Sequence, residues 1–206
     1  INMTNESNLK PFATGDIFAG ATLLNNPNDD HAGDGRIIQF DTDLNEKGIL
    51  WPKNTTHLIG GLKFDNHQNL WAFDSQNYSN IRIDTNGNQL EEVDFGSRSY
   101  SNACFTRDGN IFLGEHLVGD ISNNKALEGP RKLRTVLPFI PETERYGDGN
   151  LYKFSSSGDL LESYASETHG GMPGFLGVTS STLDPDESKI VYISELGNRI
   201  FQYDIV

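Results

Sequence analysis

The stretch VYISELGNRIFQYDIV, residues 191–206, sets two alternating apolar runs around a Gly-Asn turn. That is the pattern of an antiparallel hairpin. The same plan recurs upstream. NLWAFDSQNYSNIRIDTNG (69–87) is strand, polar turn and strand. NIFLGEHLVGD (110–120) opens in the same way, and its second strand returns only with GNLYKFSSSGDLLESY (149–164). GDIFAGATLL (15–24) followed by GRIIQFDTDLNEKGILWP (35–52) makes a further copy. Short apolar runs with polar turns precede the hairpins: IGGLKFDNHQN, NACFTRDGN and LGVTSSTLDPDESK. Self-similarity at a period of roughly 40–50 residues marks a repeat fold, and in an all-β chain it points to radially arranged blades. Helical patterning is almost absent, and Gly, Asn and Asp punctuate the strands at short intervals.

The expected fold is therefore all-β, a β-propeller of four-stranded blades. About four blades are expected in this chain, as a small ring or as part of a larger one. The competing arrangement is two face-packed sheets, which the repeated hairpin disfavours. Blade boundaries fall near residues 1–53, 54–98, 99–168 and 169–206, with an inserted flap near 117–148. The last unit lacks an outer strand, and INMTNESNL at residues 1–9 is expected to supply it.

Composition bounds the partners. The formal net charge of -13 argues against nucleic acid, which needs a clustered basic footprint. No apolar run approaches the length of a membrane span. Cys104 is the single cysteine, so no intrachain disulfide framework exists. The acidity, the lone cysteine and the Asn/Asp-rich loops suit an extracytoplasmic setting, secreted or periplasmic.

VYISELGNRIFQYD resembles the NHL-repeat pattern. The same strand-turn-strand unit occurs in streptogramin lyases and in the gluconolactonase-like propellers of the senescence-marker family. The resemblance extends over nearly the whole chain. It is specific for architecture and weak for activity, because one superfold hosts lyases, lactonases and binding platforms. Streptogramin lyases often end the second strand of a blade in an acid. Here FLGE ends in Glu115 and YISE in Glu195, while WAFD ends in Asp74 and FAGA carries no acid. Gluconolactonase-like enzymes place metal ligands just before the first strand, and SNA puts Asn102 at such a place. Gly60 and Leu176 occupy the matching spots elsewhere, so a full lactonase metal site is not legible.

In the fold so implied, the turn entering the first strand and the turn joining the second to the third share one rim. His57 and His169 precede first strands, and His31 and His116 lie in second-to-third connections. Asn102, Glu115 and Glu195 join them. His67 falls at the other end. Imidazole with carboxylate suits a transition metal, and carboxylate with amide oxygen suits Ca or Mg. The expected cofactor is a divalent metal ion, with His57, His116, His169, Asn102 and Glu115 as candidate ligands. Glu115, Glu195 and His169 are the candidate catalytic groups. Arg131, Lys132 and Arg134 form the one basic cluster, inside the flap. Arg131, Arg134 and His31 are the candidate substrate-binding residues; the plainer reading of the cluster is pairing with Glu142 and Glu144.

Two functions from different classes follow. The first is a metal-assisted lyase or hydrolase acting on a small molecule at the rim. The second is a non-catalytic propeller that binds a protein, peptide or glycan, or one part of a larger propeller whose site lies elsewhere. The partners are then a small-molecule ligand or a protein, with a second chain that completes the ring.

Overall fold

The computed structural model describes residues 5–28, 33–53, 55, 59–74, 79–96, 98, 100–115, 150–164, 178–194 and 200–206. They form four antiparallel sheets and, among the described residues, no helix. No described helix is therefore long and apolar enough to cross a membrane. The first sheet is β1 (Ile17–Leu24), β2 (Gly33–Phe40) and β3 (Glu46–Leu50). The second has β4 (Ile59–Phe64), β5 (Leu70–Asp74), β6 (Asn80–Ile83) and β7 (Gln89–Leu90). The third has β8 (Tyr100–Phe105), β9 (Ile111–Glu115), β10 (Leu151–Phe154) and β11 (Leu160–Tyr164). The fourth has β12 (Val178–Leu183), β13 (Lys189–Ser194) and β14 (Ile200–Asp204). Strands follow one another in chain order, so every sheet is a meander.

One turn is used six times among the described residues. It joins β2 to β3, β4 to β5, β6 to β7, β8 to β9, β10 to β11 and β12 to β13. The first turn residue (Asp41, Asp65, Asp84, Thr106, Ser155 or Asp184) donates its N–H across the turn and accepts one back from the residue three places on. That third residue has positive φ: Leu44, Gln68, Gly87, Gly109, Gly158 and Glu187, between 60° and 95°. Asp in the first place earns its frequency here, because its carboxylate accepts local N–H groups. Asp65 accepts from the N–H groups of His67 and Asn69 at 2.9 Å, from Asn69 Nδ2 at 3.0 Å and from Trp71 Nε1 at 2.9 Å. Burial alone would raise the Asp65 carboxyl, but these donors hold it below its ordinary value.

A pH prediction follows with a definite sign. A lowered folded value means stability that is present above the ordinary carboxylate range and lost as pH falls through the folded value. Thermal melts of the wild type should fall as pH drops from neutral to below about 4, and Asp65→Ala should flatten that decline. At neutral pH the same variant removes the indole acceptor at a cost of about 1–3 kcal/mol. An unchanged melting curve for Asp65→Ala would remove the carboxylate from this role.

The chain divides into two compact units, Ile1–Asp74 with Ser79–Glu92, and Ser75–Tyr78 with Val93–Val206. In the first unit Ile37, Leu50, Ile59, Leu70, Ala72, Ile81 and Ile83 form a core between the first two sheets. Of the segment 1–9 expected as an outer strand for the last sheet, residues 1–4 lie outside the described residues, and Asn8 is engaged here instead. Asn8 donates its N–H to Ile49 O at 2.8 Å, and its side-chain oxygen accepts from Ile49 N at 2.7 Å. Farther along, Phe12 N donates to Thr85 O at 2.8 Å, at the β6–β7 turn. The reason is local: the outer edge of β3 offers unpaired backbone groups, and Asn8 satisfies both groups of one residue.

In the second unit Cys104, Phe112, Leu151, Tyr164, Val178, Ile190 and Tyr192 form a core between the third and fourth sheets. Tyr192 stacks on Phe201 and Tyr203, with ring centroids 5.1 and 5.9 Å away. Burial holds the Tyr192 phenol well above its ordinary value, so it stays neutral. β5 and β9 are buried along their whole length, and each is flanked by strands on both edges of its sheet.

Candidate functional site

Because the repeated turns lie at one end of each sheet, β9 delivers its last residue, Glu115, to the other end. The Glu115 side chain is 2% exposed. A carboxylate so removed from water needs partners. Arg98, which precedes β8, donates from Nη1 to Glu115 Oε1 at 3.1 Å and Oε2 at 3.2 Å. The same nitrogen donates to Tyr152 Oη at 2.8 Å, and that hydroxyl donates to Glu115 Oε2 at 3.0 Å. The guanidinium also lies over the Tyr152 ring, 4.4 Å from its centroid.

Three groups thus close a triangle of charge-assisted bonds. Burial alone would lower the Arg98 value, but the neighbouring Glu115 charge holds it above the ordinary range. Beneath the triangle, Tyr100 pairs with Glu115 in the β8–β9 ladder and donates its hydroxyl to Phe95 O at 3.1 Å. Burial first, and then the Glu115 charge, raise the Tyr100 phenol; it remains a donor. Of the triangle, Arg98 keeps the most contact with water, with its side chain 32% exposed.

Asn102 lies elsewhere. It is opposite Gly114, so its side chain takes the face that Glu115 does not. Its Nδ2 donates to Val178 O at 2.5 Å and to Ser101 Oγ at 3.1 Å, and its Oδ1 accepts from Ser181 Oγ at 2.6 Å. Ser181 Oγ also lies 3.3 Å from Cys104 Sγ. The amide therefore ties β8 to β12. Gly114 allows this approach: a Cβ there would meet Asn102 Nδ2, and would sit 2.8 Å from Val178 O.

The two described candidates do not converge on one point. Among the described residues no group of three His, Cys, Asp or Glu side chains is placed to hold a metal. Both Glu115 oxygens are engaged by Arg98 and Tyr152, and both ends of the Asn102 amide are used. The described residues therefore do not fit a divalent ion on their own. His31, His57, His116, Arg131, Arg134, His169 and Glu195 lie outside the described residues. Asp74, the counterpart of Glu115 in the second sheet, is also wholly buried.

Arg98 and Tyr152 are absent from the candidates read in the sequence. Tyr152 carries a signal, because alternation in LYKF puts it on the face of Phe154 and so beneath the end of β9. Arg98 carries a weaker one, a lone cation just before a first strand in an acidic chain.

No family model matches the sequence, and no curated protein is similar to it. Solved structures are similar in fold. A chain of a mitotic checkpoint complex superposes with a TM-score of 0.51 at 14% identity, covering 87% of this chain and 42% of that one. A gluconolactonase from Xanthomonas campestris gives 0.53 at 17% identity, with 83% and 51% covered. A protein assigned as a 6-phosphogluconolactonase from Bacteroides fragilis gives 0.53 at 9% identity, with 94% and 49% covered. The chain spans about half the length of these proteins. Four antiparallel meander sheets, helix-free among the described residues and similar to proteins of this type, make it an all-β chain with a β-propeller fold.

Proposed function

We propose that the chain carries a small-molecule site of hydrolase or lyase type at the end of the sheets where β9 delivers Glu115. The Arg98–Glu115–Tyr152 triangle is the observation that carries this reading. Burying a carboxylate costs stability that pairing offsets only in part, and clusters of buried, charge-coupled ionisable groups gather at functional sites. The likeness to two proteins named as lactonases, and the NHL-type resemblance of the repeats, support a small cyclic or ester substrate. Arg98 is the group best placed to touch it. Its charge suits a carboxylate, or the oxygen that gains charge when a carbonyl is attacked. Glu115 and Tyr152 orient Arg98. Glu195 and His169 are the acid–base candidates. A divalent ion, if bound, would polarise the carbonyl. It would be held by His57, His116 and His169, since Glu115 and Asn102 are otherwise engaged. An extracytoplasmic location goes with this reading.

The test uses the purified full chain. Metal content is measured by mass spectrometry, and hydrolysis of a panel of aldonolactones is followed by acid release. Turnover is expected to fall about 100-fold in Arg98→Ala, and bound metal is expected to disappear in a His57/His169 double alanine variant. A metal-free wild type that turns over nothing would sink the reading. The second reading would then stand: a non-catalytic platform for a protein partner. It is favoured by the complete internal satisfaction of Asn102, and by the fold's presence in a protein assembly.

A further inference from the structure

The repeats provide their own standard for what each sheet face needs. Ladder register aligns them. Ile37 lies opposite Gly20, Leu151 opposite Gly114 and Ile200 opposite Ile193. These three residues, on β2, β10 and β14, occupy the same place and mark one face of a sheet, here termed the trailing face. On the other, leading face, Ile17 pairs with Phe40, Leu70 with Ile83 and Ile190 with Tyr203. In the first unit the trailing face of the first sheet packs on the leading face of the second, with Ile37 in one core with Leu70. In the second unit the trailing face of the third sheet packs on the leading face of the fourth, with Leu151 in one core with Ile190. A glycine permits close approach both times. A Cβ on Gly20 would lie 2.6 Å from Ile59 O, and one on Gly114 2.8 Å from Val178 O.

One packing rule thus occurs twice, and it leaves one face of each sheet over; two of these four faces carry large apolar side chains in water. On the leading face of the first sheet, Ile17 is 44% exposed, where Leu70 and Ile190 are 1% and 0% exposed. On the trailing face of the fourth sheet, Ile200 is 74% and Ile193 43% exposed, where Leu151 is 0% exposed. Apolar side chains that are buried at every equivalent place inside a unit are in water at these two. Such patches mark interaction sites.

We propose that these two faces bind each other between copies: the trailing face of the fourth sheet on one chain seats on the leading face of the first sheet on a second copy. The occupant is a second copy because each open face already has its complement on this chain, of the type it meets within a unit. Contact between unlike faces is heterologous, and it closes into a ring or continues head to tail.

The experiment measures the mass of the full chain by light scattering and native mass spectrometry over a range of concentrations. The wild type is expected to form dimers or larger assemblies. Ile200→Lys and Ile17→Lys alter exposed side chains, and circular dichroism should show both folded. Each alone should be monomeric. Mixed in equal amounts they should form a heterodimer and nothing larger, because each retains the face that the other has lost. A wild type that remains monomeric at the highest soluble concentration overturns the proposal. So does association that survives Ile17→Lys, which would mean that like faces pair or that another surface is used.

Discussion

Phe112→Ala is expected to cost about 3–5 kcal/mol of stability, among the largest single effects in the chain. Phe112 is wholly buried in β9, in one core with Leu151, Val178 and Ile190. Tyr164 lies against it with ring centroids 5.9 Å apart, and Lys153 Nζ sits over its ring at 5.6 Å. Truncation removes the transfer free energy of a ring and leaves a cavity between two sheets. Sheet backbones are fixed by their ladders, so that cavity cannot collapse easily. Denaturant unfolding would measure the loss. Leu160→Ala is the control: that leucine is apolar but 56% exposed on β11, and its replacement should stay within about 0.5 kcal/mol. Similar losses in the two variants would mean that the β9 core is not packed as described.

The contrast between Phe112 and Leu160 also shows which parts of the fold were legible in the sequence. Runs such as LWAFD and IFLGE read as strands through β-propensity and punctuation, and that signal is local. The D-x-x-x-N turns read as turns for the same reason, because each carboxylate bonds within its own loop. Nothing local says which face of a strand meets which neighbour. Asn102 and Glu115 both sit near the rim by position along the chain. Only ladder register shows that they take opposite faces of the third sheet. The partners of Glu115 lie at Arg98 and Tyr152, in other strands and connections, and a single sequence gives no pairing between them. The outer edge of β3 took the N-terminal segment for a reason equally invisible in sequence: proximity of unpaired backbone groups.

Removing the Arg98 charge tests the triangle most directly. Arg98→Met keeps much of the side-chain length but leaves the Glu115 carboxylate buried with Tyr152 as its remaining partner within the triangle. Breaking a buried ion pair from one side typically costs 3–5 kcal/mol, because the stranded charge keeps its desolvation penalty. Here Arg98 is about one-third exposed and the Tyr152 hydrogen bond persists, so a loss near about 3 kcal/mol is expected. Glu115→Gln alone should cost less, since an amide is cheaper to bury than a charge and Tyr152 can still donate to its oxygen. The double variant should recover most of the Arg98→Met loss, giving a coupling of about 1–3 kcal/mol in a double-mutant cycle. Catalysis and architecture part company at this point. If the triangle only holds β8, β9 and β10 together, the double variant regains stability and any lactone turnover returns with it. If Arg98 meets the substrate, stability returns and turnover does not. A near-zero coupling would mean that the Glu115 charge is stabilised chiefly by groups other than Arg98, and the site would lose its anchor.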